Sequence, residues 1–306
     1  MQSVLADAEG RVFAGFWSTG LCRIDTRTGA VRFFHPPAAR RSAMSDNIWR
    51  VLDAGDGEIL VATNDGAFLF DARRETFVPL SDRVPGAGLG QVSDAVVDAA
   101  GGLWLASPTS VEHVDRRAGV VRRFAGDAAG GGAIVGSFVD ALHVDARGHL
   151  WVGTERGISC LDASGRRLAA YGVGDGLPNP NVVSITEDAS GNVWAGTYGG
   201  LARLRGAVES PAAAAVLAFD ERDGVTSRIA VRGAAFRSRG ELYFGTARGP
   251  TRFRPRFETN TARAARCRAD GTADRGPAGH GRGCRLAAHP ADRARDGARP
   301  LHDHAE

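Results

Sequence analysis

The chain has 306 residues, 43% of them hydrophobic and 24% charged, a balance suited to one large globular domain or two small ones. All 38 basic residues are arginine against 35 acidic ones; 29 Arg face 28 acids over residues 1–257 and 9 face 7 over 258–306, so neither part has the basic footprint of a nucleic-acid binder. No apolar run reaches the length of a membrane span, and the opening MQSVLADAEGRVFAG lacks the basic and apolar regions of an export signal.

In chain order, a glycine that precedes a hydrophobic or aromatic pair recurs at Gly10, Gly57, Gly101, Gly148, Gly191 and Gly240. Three residues after each comes Phe13, Leu60, Trp104, Trp151, Trp194 or Tyr243, and six after comes Phe16, Thr63, Ser107, Thr154, Thr197 or Thr246. A second glycine follows at Gly20, Gly66, Gly157, Gly200 and Gly249, with Ser110 in its place in the third copy. In the fifth copy VVSITED, VWAGT and LARLR read as three strands separated by ASGN and Tyr198-Gly199-Gly200 turns; in the fourth, RRLAAYG reads as a fourth strand. A four-stranded unit with a period in the middle forties predicts an all-β fold, a β-propeller of about six blades over residues 1–255. A lone sheet has two faces to bury and stacking on the next blade covers both, so the recurrent aromatic is read as core. The sixth copy has no clear fourth strand, which predicts a ring that is incomplete or open.

Past Phe257 the composition changes. Residues 256–306 contain no aromatic after Phe257 and only Leu286 and Leu301 as large aliphatics, so this stretch is expected to be a low-complexity Arg/Ala/Gly-rich tail, too poor in apolar surface to fold. The sharp change suggests a frame-shifted product. Neither its histidines (His280, His289, His302, His304) nor the cysteines Cys22, Cys160, Cys267 and Cys284 have metal-site spacing, so no cofactor or metal is expected.

The stretch DGLPNPNVVSITEDASGNVWAGTYGGLARL (175–204) resembles the two-component regulator propeller repeat, with its D-G-L turn, D-x-x-G-x-[LV]-W-[VIA]-G-T and x-x-G-[LI] pattern; VDARGHLWVGTERGISCLD (144–162) matches almost as fully, and the other copies more loosely. Arg237 stands in the sixth copy where the pattern has Asp. The resemblance implies a periplasmic sensor region of a hybrid histidine kinase or diguanylate cyclase, in which two seven-bladed rings precede an immunoglobulin-like domain and a membrane helix. It also implies that this chain is a fragment of such a sensor, with other blades or a sensor protomer as partners.

Strand alternation places the T-x-x-G turns and the blade-to-blade connections on one rim. Candidate ligand contacts there are Trp17, Asn64, Glu155, Arg156 and Tyr198 from the turns and Asp46, Asn47, Asp94, Asn179, Asn181 and Arg228 from the connections. Aromatic, amide, carboxylate and guanidinium groups together suit a small polar ligand or oligosaccharide. Asp and Asn in such loops also serve turns, which is the competing reading of each. A non-catalytic sensor module is favoured over a streptogramin-lyase-like enzyme, because only His35 falls near this rim and no paired acid and base is read from the histidines. A protein-interaction scaffold is the third reading.

Overall fold

Each glycine that marks a repeat closes a hairpin. A computed structural model describes residues 2–37, 46–127 and 132–255. The first sheet is β1 (Ser3–Ala6), β2 (Arg11–Phe16), β3 (Gly20–Asp25) and β4 (Val31–Phe34). The second is β5 (Ile48–Gly55), β6 (Glu58–Thr63), β7 (Gly66–Asp71) and β8 (Thr76–Pro79), followed by the single-turn helix α1 (Leu80–Arg83). The third comprises β9 (Asp94–Val97), β10 (Leu103–Ala106), β11 (Ser110–Asp115) and β12 (Val120–Asp127), with the short β13 (Ile134–Val135) added parallel to β12. The fourth is β14 (Val139–Val144), β15 (Leu150–Thr154), β16 (Gly157–Leu161) and β17 (Arg167–Tyr171). The fifth is β18 (Val182–Glu187), β19 (Val193–Thr197), β20 (Gly200–Arg205) and β21 (Ala215–Phe219); the sixth has β22 (Ala230–Ser238), β23 (Glu241–Thr246) and β24 (Gly249–Phe253).

These six antiparallel sheets are the blades of a β-propeller, as the repeat predicts. No helix among the described residues is long and apolar enough to cross a membrane. Among the described residues, which stop at Pro255, the sixth sheet has three strands; whether a fourth follows β24 lies outside them. The tail assigned to 256–306 lies outside the described residues.

The blades join by one rule. The aromatic of one blade faces forward and enters the next blade between the two residues flanking that blade's own aromatic position. Phe13 packs with Ile59 and Val61, Trp104 with Leu150 and Val152, Trp151 with Val193 and Ala195, and Trp194 with Leu242 and Phe244; the smaller Leu60 packs with Leu103 and Leu105. Trp151 and Trp194 are fully buried, so their reading as core stands. Five such clusters lie between the blades in chain order.

The innermost strands β5, β14, β18 and β22 each carry a register shift near their first residues, at Ile48/Arg50, Val139/Ala141, Val182/Ser184 and Ala230/Ala235. Such bulges re-aim the side chains of the extra residues. All four lie at the same end of the ring, the end where the connections enter.

Candidate site at the mouth of the ring

The T-x-x-G turns owe their residue types to local geometry. Thr197 Oγ1 donates to the Gly200 carbonyl at 2.8 Å and accepts from the Gly199 N–H at 3.0 Å, and Thr63 and Thr154 make the same pair of bonds. Gly200 has φ +129°, and a Cβ there would lie 2.3 Å from the Phe219 carbonyl oxygen, so only glycine fits. The turn holds its two middle residues outward, which puts Asn64, Glu155, Arg156 and Tyr198 on the rim.

At the centre of that rim the bulges aim their extra residues together. Trp49, the extra residue of β5, meets Trp17 edge to face at 4.9 Å, and its indole Nε1 donates to Asn64 Oδ1 at 2.5 Å. Arg232, from the shifted stretch of β22, lies 5.3 Å over the Trp49 ring and 5.7 Å over Phe138, and it pairs with Asp140, the extra residue of β14. Arg50 and Asp94 approach to 3.4 Å, while Asp94 also accepts the Leu142 N–H at 2.8 Å. Five blades thus contribute to one mouth of two tryptophans, a phenylalanine, two arginines and two aspartates. Beneath it a cavity of about 270 Å³ opens among β5, β9 and β14, lined by Arg50, Leu52, Val96 and His143.

The mouth is electrostatically balanced, not simply cationic. Burial pushes the Asp140 carboxyl up to about 6; Arg232 pulls the other way, and the Glu155 and Asp94 carboxylates add to the rise. Glu155 is also desolvated, but the N–H groups of Ser137 and Phe138 outweigh burial and hold its carboxyl below the usual range.

The structure divides the sequence candidates. Trp17, Asn64 and Asp94 belong to the mouth. Asn47 accepts from the Ser18 N–H at 2.9 Å and Glu155 accepts from Ser137 and Phe138, so both fix loops that frame it. Asp46 is buried and bonds His35 Nδ1 at 2.9 Å. Asn179 accepts from the Asn181 N–H at 3.0 Å in the connection ahead of the fifth blade, beside the exposed Tyr198 turn. Arg156 is exposed, and Arg228 pairs with Asp220 at 3.1 Å and Glu221 at 3.2 Å, farther round the rim.

Sequence reasoning passed over Trp49, Arg50, Phe138, Asp140 and Arg232. A signal was present: charged residues at the start of otherwise apolar first strands, as in WRVL, VDAL and VRGA. What the sequence hides is the bulge that turns them inward.

One expectation is corrected. Histidine–acid pairs do form: His35–Asp46 at 2.9 Å, His113–Asp98 at 2.8 Å and His149–Asp145 at 3.1 Å. They arise because each histidine sits beside a turn aspartate or across one hairpin, and they lie in separate blades. Of them, His35–Asp46 is on the connection rim. Among the described residues no three His, Cys, Asp or Glu side chains gather as metal ligands would.

Residues 176–199 match the model of the "Two component regulator propeller" family, so the chain carries this repeat where the D-G-L turn and the VWAGT strand lie. Comparison with curated protein sequences gives no match. In fold the chain is similar to the extracellular domain assigned to a hybrid two component system of B. thetaiotaomicron, with TM-score 0.67 and 20% identity over 83% of this chain and 34% of that one. It is similar also to PorZ, a surface component of the type-IX secretion system of Porphyromonas gingivalis, with TM-score 0.63 and 18% identity over 82% of this chain and 38% of that one. A chain of the Mitotic Checkpoint Complex is alike too, with TM-score 0.58 and 15% identity over 80% of this chain and 70% of that one. The chain therefore spans little more than a third of the first two, and the third shows how widely this fold is shared.

Proposed function

We propose, from the two component regulator propeller repeat that this chain carries, that it is a non-catalytic ligand-sensing module of a bacterial two-component-type signalling protein, working outside the cytoplasm. The ligand is a small polar molecule or an oligosaccharide. The observation that carries this reading is the mouth itself, where Trp49, Arg50, Asp140 and Arg232 from bulged inner strands meet Trp17 from a rim turn, Phe138 from a connection and Asp94 from the third blade. An exposed aromatic face stacks on a sugar ring, while guanidinium and carboxylate groups hydrogen-bond its hydroxyls, and neither act needs a nucleophile.

The His35–Asp46 pair on the same rim favours one second reading, a lyase-type enzyme in which His35 acts as base. Calorimetry of the full chain against a panel of neutral and acidic oligosaccharides, with mass spectrometry of each mixture, tests the two together. Reversible heat without a new product supports the sensor. A cleaved product that disappears in His35→Ala rejects it in favour of the enzyme, and no heat with any member removes the saccharide assignment.

A further inference from the structure

The two arginines of the mouth carry donors that the fold leaves unused. Arg50 Nε and Arg232 Nη1 are buried, and neither has a hydrogen-bond partner among the described residues. Both belong to one place. A Cβ added at Gly233, next to Arg232, would lie 3.7 Å from Arg50 Nη1, so the head of Arg50 reaches from the second blade to the inner strand of the sixth. Arg232 in turn lies 5.3 Å over the ring of Trp49, the residue beside Arg50. The aspartates do not take up these donors. Asp94 accepts the Ala95 N–H at 2.9 Å through Oδ1 and the Leu142 N–H at 2.8 Å through Oδ2, which leaves Arg50 Nε at 3.4 Å, an ion-pair distance without a hydrogen bond. Asp140 pairs with Nη2 of Arg232 and leaves Nη1 unmatched. A buried donor without an acceptor costs free energy that an entering acceptor recovers.

Charge decides which acceptor fits. The two guanidinium groups face the Asp94 and Asp140 carboxylates, and Glu155 at the edge adds a third carboxylate. Each arginine therefore already has its counter-charge. The Asp140 carboxyl is pushed up to about 6 by burial against the pull of Arg232, with Glu155 and Asp94 adding to the rise, so the mouth already resists the negative charge it holds. A further carboxylate would enter against that repulsion, whereas a neutral oxygen would not. Resting on the saccharide-sensing reading above, we propose that the mouth selects uncharged saccharides, which give Arg50 and Arg232 an acceptor oxygen without adding charge, and excludes uronates. The oxygen belongs to a hydroxyl or to the carbonyl of an acetamido group, each able to accept two N–H groups. The indole N–H of Trp49 is committed to Asn64 Oδ1, so Trp49 contributes ring surface to the sugar and not a further donor.

Calorimetry of the full chain at neutral pH and low salt tests it with matched trisaccharides: cellotriose with its triglucuronate counterpart, galactotriose with trigalacturonate, and chitotriose for the acetamido group. The neutral member of at least one pair is expected to bind about tenfold or more tighter than the acidic one. Asp140→Asn removes one carboxylate and should close most of that gap by strengthening the acid, with the neutral sugar changed less than about twofold. A merely structural Asp140 would shift both alike. Arg50→Gln should weaken the neutral sugar about tenfold. Circular dichroism melts establish that both variants are folded. Chitotriose above cellotriose assigns the acceptor to the acetamido carbonyl and the opposite order assigns it to a hydroxyl; either supports the proposal. An acidic trimer that binds as tightly as its neutral partner, a gap that Asp140→Asn leaves unchanged, or neutral binding untouched by Arg50→Gln overturns the selection and leaves the sensor reading in place. No binding by any member rejects the saccharide reading itself, and the selection with it.

Discussion

The indole Nε1 of Trp194 donates to Asp188 Oδ2 at 2.8 Å, reaching back across the turn that joins β18 to β19. The same carboxylate accepts from the Ser190 and Asn192 N–H groups and from Asn192 Nδ2. Trp151 and Asp145 repeat the bond at 2.9 Å in the fourth blade, and in the third Asp98 takes His113 Nε2 instead. The aspartate of the repeat therefore forms the turn and also satisfies the one polar atom of the buried aromatic, which otherwise would cost the blade contact free energy.

Removing either partner should be felt in stability before anything else. Trp194→Ala empties a fully buried site against Phe219 and Phe253 and is expected to cost about 3–5 kcal/mol. Asp188→Ala leaves the indole N–H and turn amides unpaired and is expected to cost about 1–3 kcal/mol. Urea unfolding followed by tryptophan fluorescence measures both; a cost for Asp188→Ala near zero would show that the turn holds without its carboxylate.

The turn glycines should separate by geometry. Gly200→Ala forces a Cβ against the Phe219 carbonyl oxygen at 2.3 Å in a left-handed backbone, whereas at Gly191 the nearest atom, Val208 Cβ, is 3.6 Å away. Gly200→Ala should lower the melting temperature several degrees more than Gly191→Ala. Equal shifts would mean that the backbone relaxes freely at Gly200.

The fold was readable from sequence because the repeat is written in residues with few substitutes: a turn glycine, an aromatic three residues on, and a threonine whose hydroxyl bridges the next turn. The common rim was readable as well, since strand alternation alone places it. Within the rim, sequence could not tell a ligand contact from a turn. Asn179 and Asn47 serve their loops in this structure, and Asp46 is buried. The mouth residues Trp49, Asp140 and Arg232 were hidden for a different reason. A β-bulge changes which way a side chain points without changing the residue types around it, so period-two reading assigns those positions to the blade interior.

Asp140 gives the protein a pH dependence of unusual sign. Its carboxyl, raised to about 6 by burial against an ordinary Asp near 3.9, binds its proton more tightly in the fold than in the unfolded chain. Its contribution is therefore fully present at low pH, is lost as pH rises from about 4 to about 6, and changes no further above that. Asp98 and Glu155, held low by hydrogen bonds that outweigh burial, act oppositely and lose stability as pH falls through the acidic range. Comparing Asp140→Asn with wild type by urea unfolding at pH 4 and pH 7 isolates the first effect. The variant should gain on wild type, on the order of 2–3 kcal/mol, between those pH values. A constant difference at both would mean that Arg232 keeps Asp140 ionised throughout.

The rim offers a ligand two aromatic seats. Trp17 and Tyr198 are both exposed aromatics held out by T-x-x-G-type turns, but Trp17 touches Trp49 and through it Asn64 and Arg232, whereas Tyr198 lies over the connection ahead of the fifth blade. A ligand centred on the axis gains from aromatic surface joined to the arginine–aspartate pairs, so Trp17→Ala should weaken binding by about 1–3 kcal/mol with stability little changed. Tyr198→Ala should then have a smaller effect, and Arg50→Gln a loss comparable to Trp17→Ala through the guanidinium facing the cavity. Calorimetry of each variant with whichever saccharide of the panel binds wild type decides the matter. If Tyr198→Ala abolishes binding while Trp17→Ala and Arg50→Gln leave it intact, the ligand belongs to the outer rim near Asn179 and Asn181, and the mouth has another role.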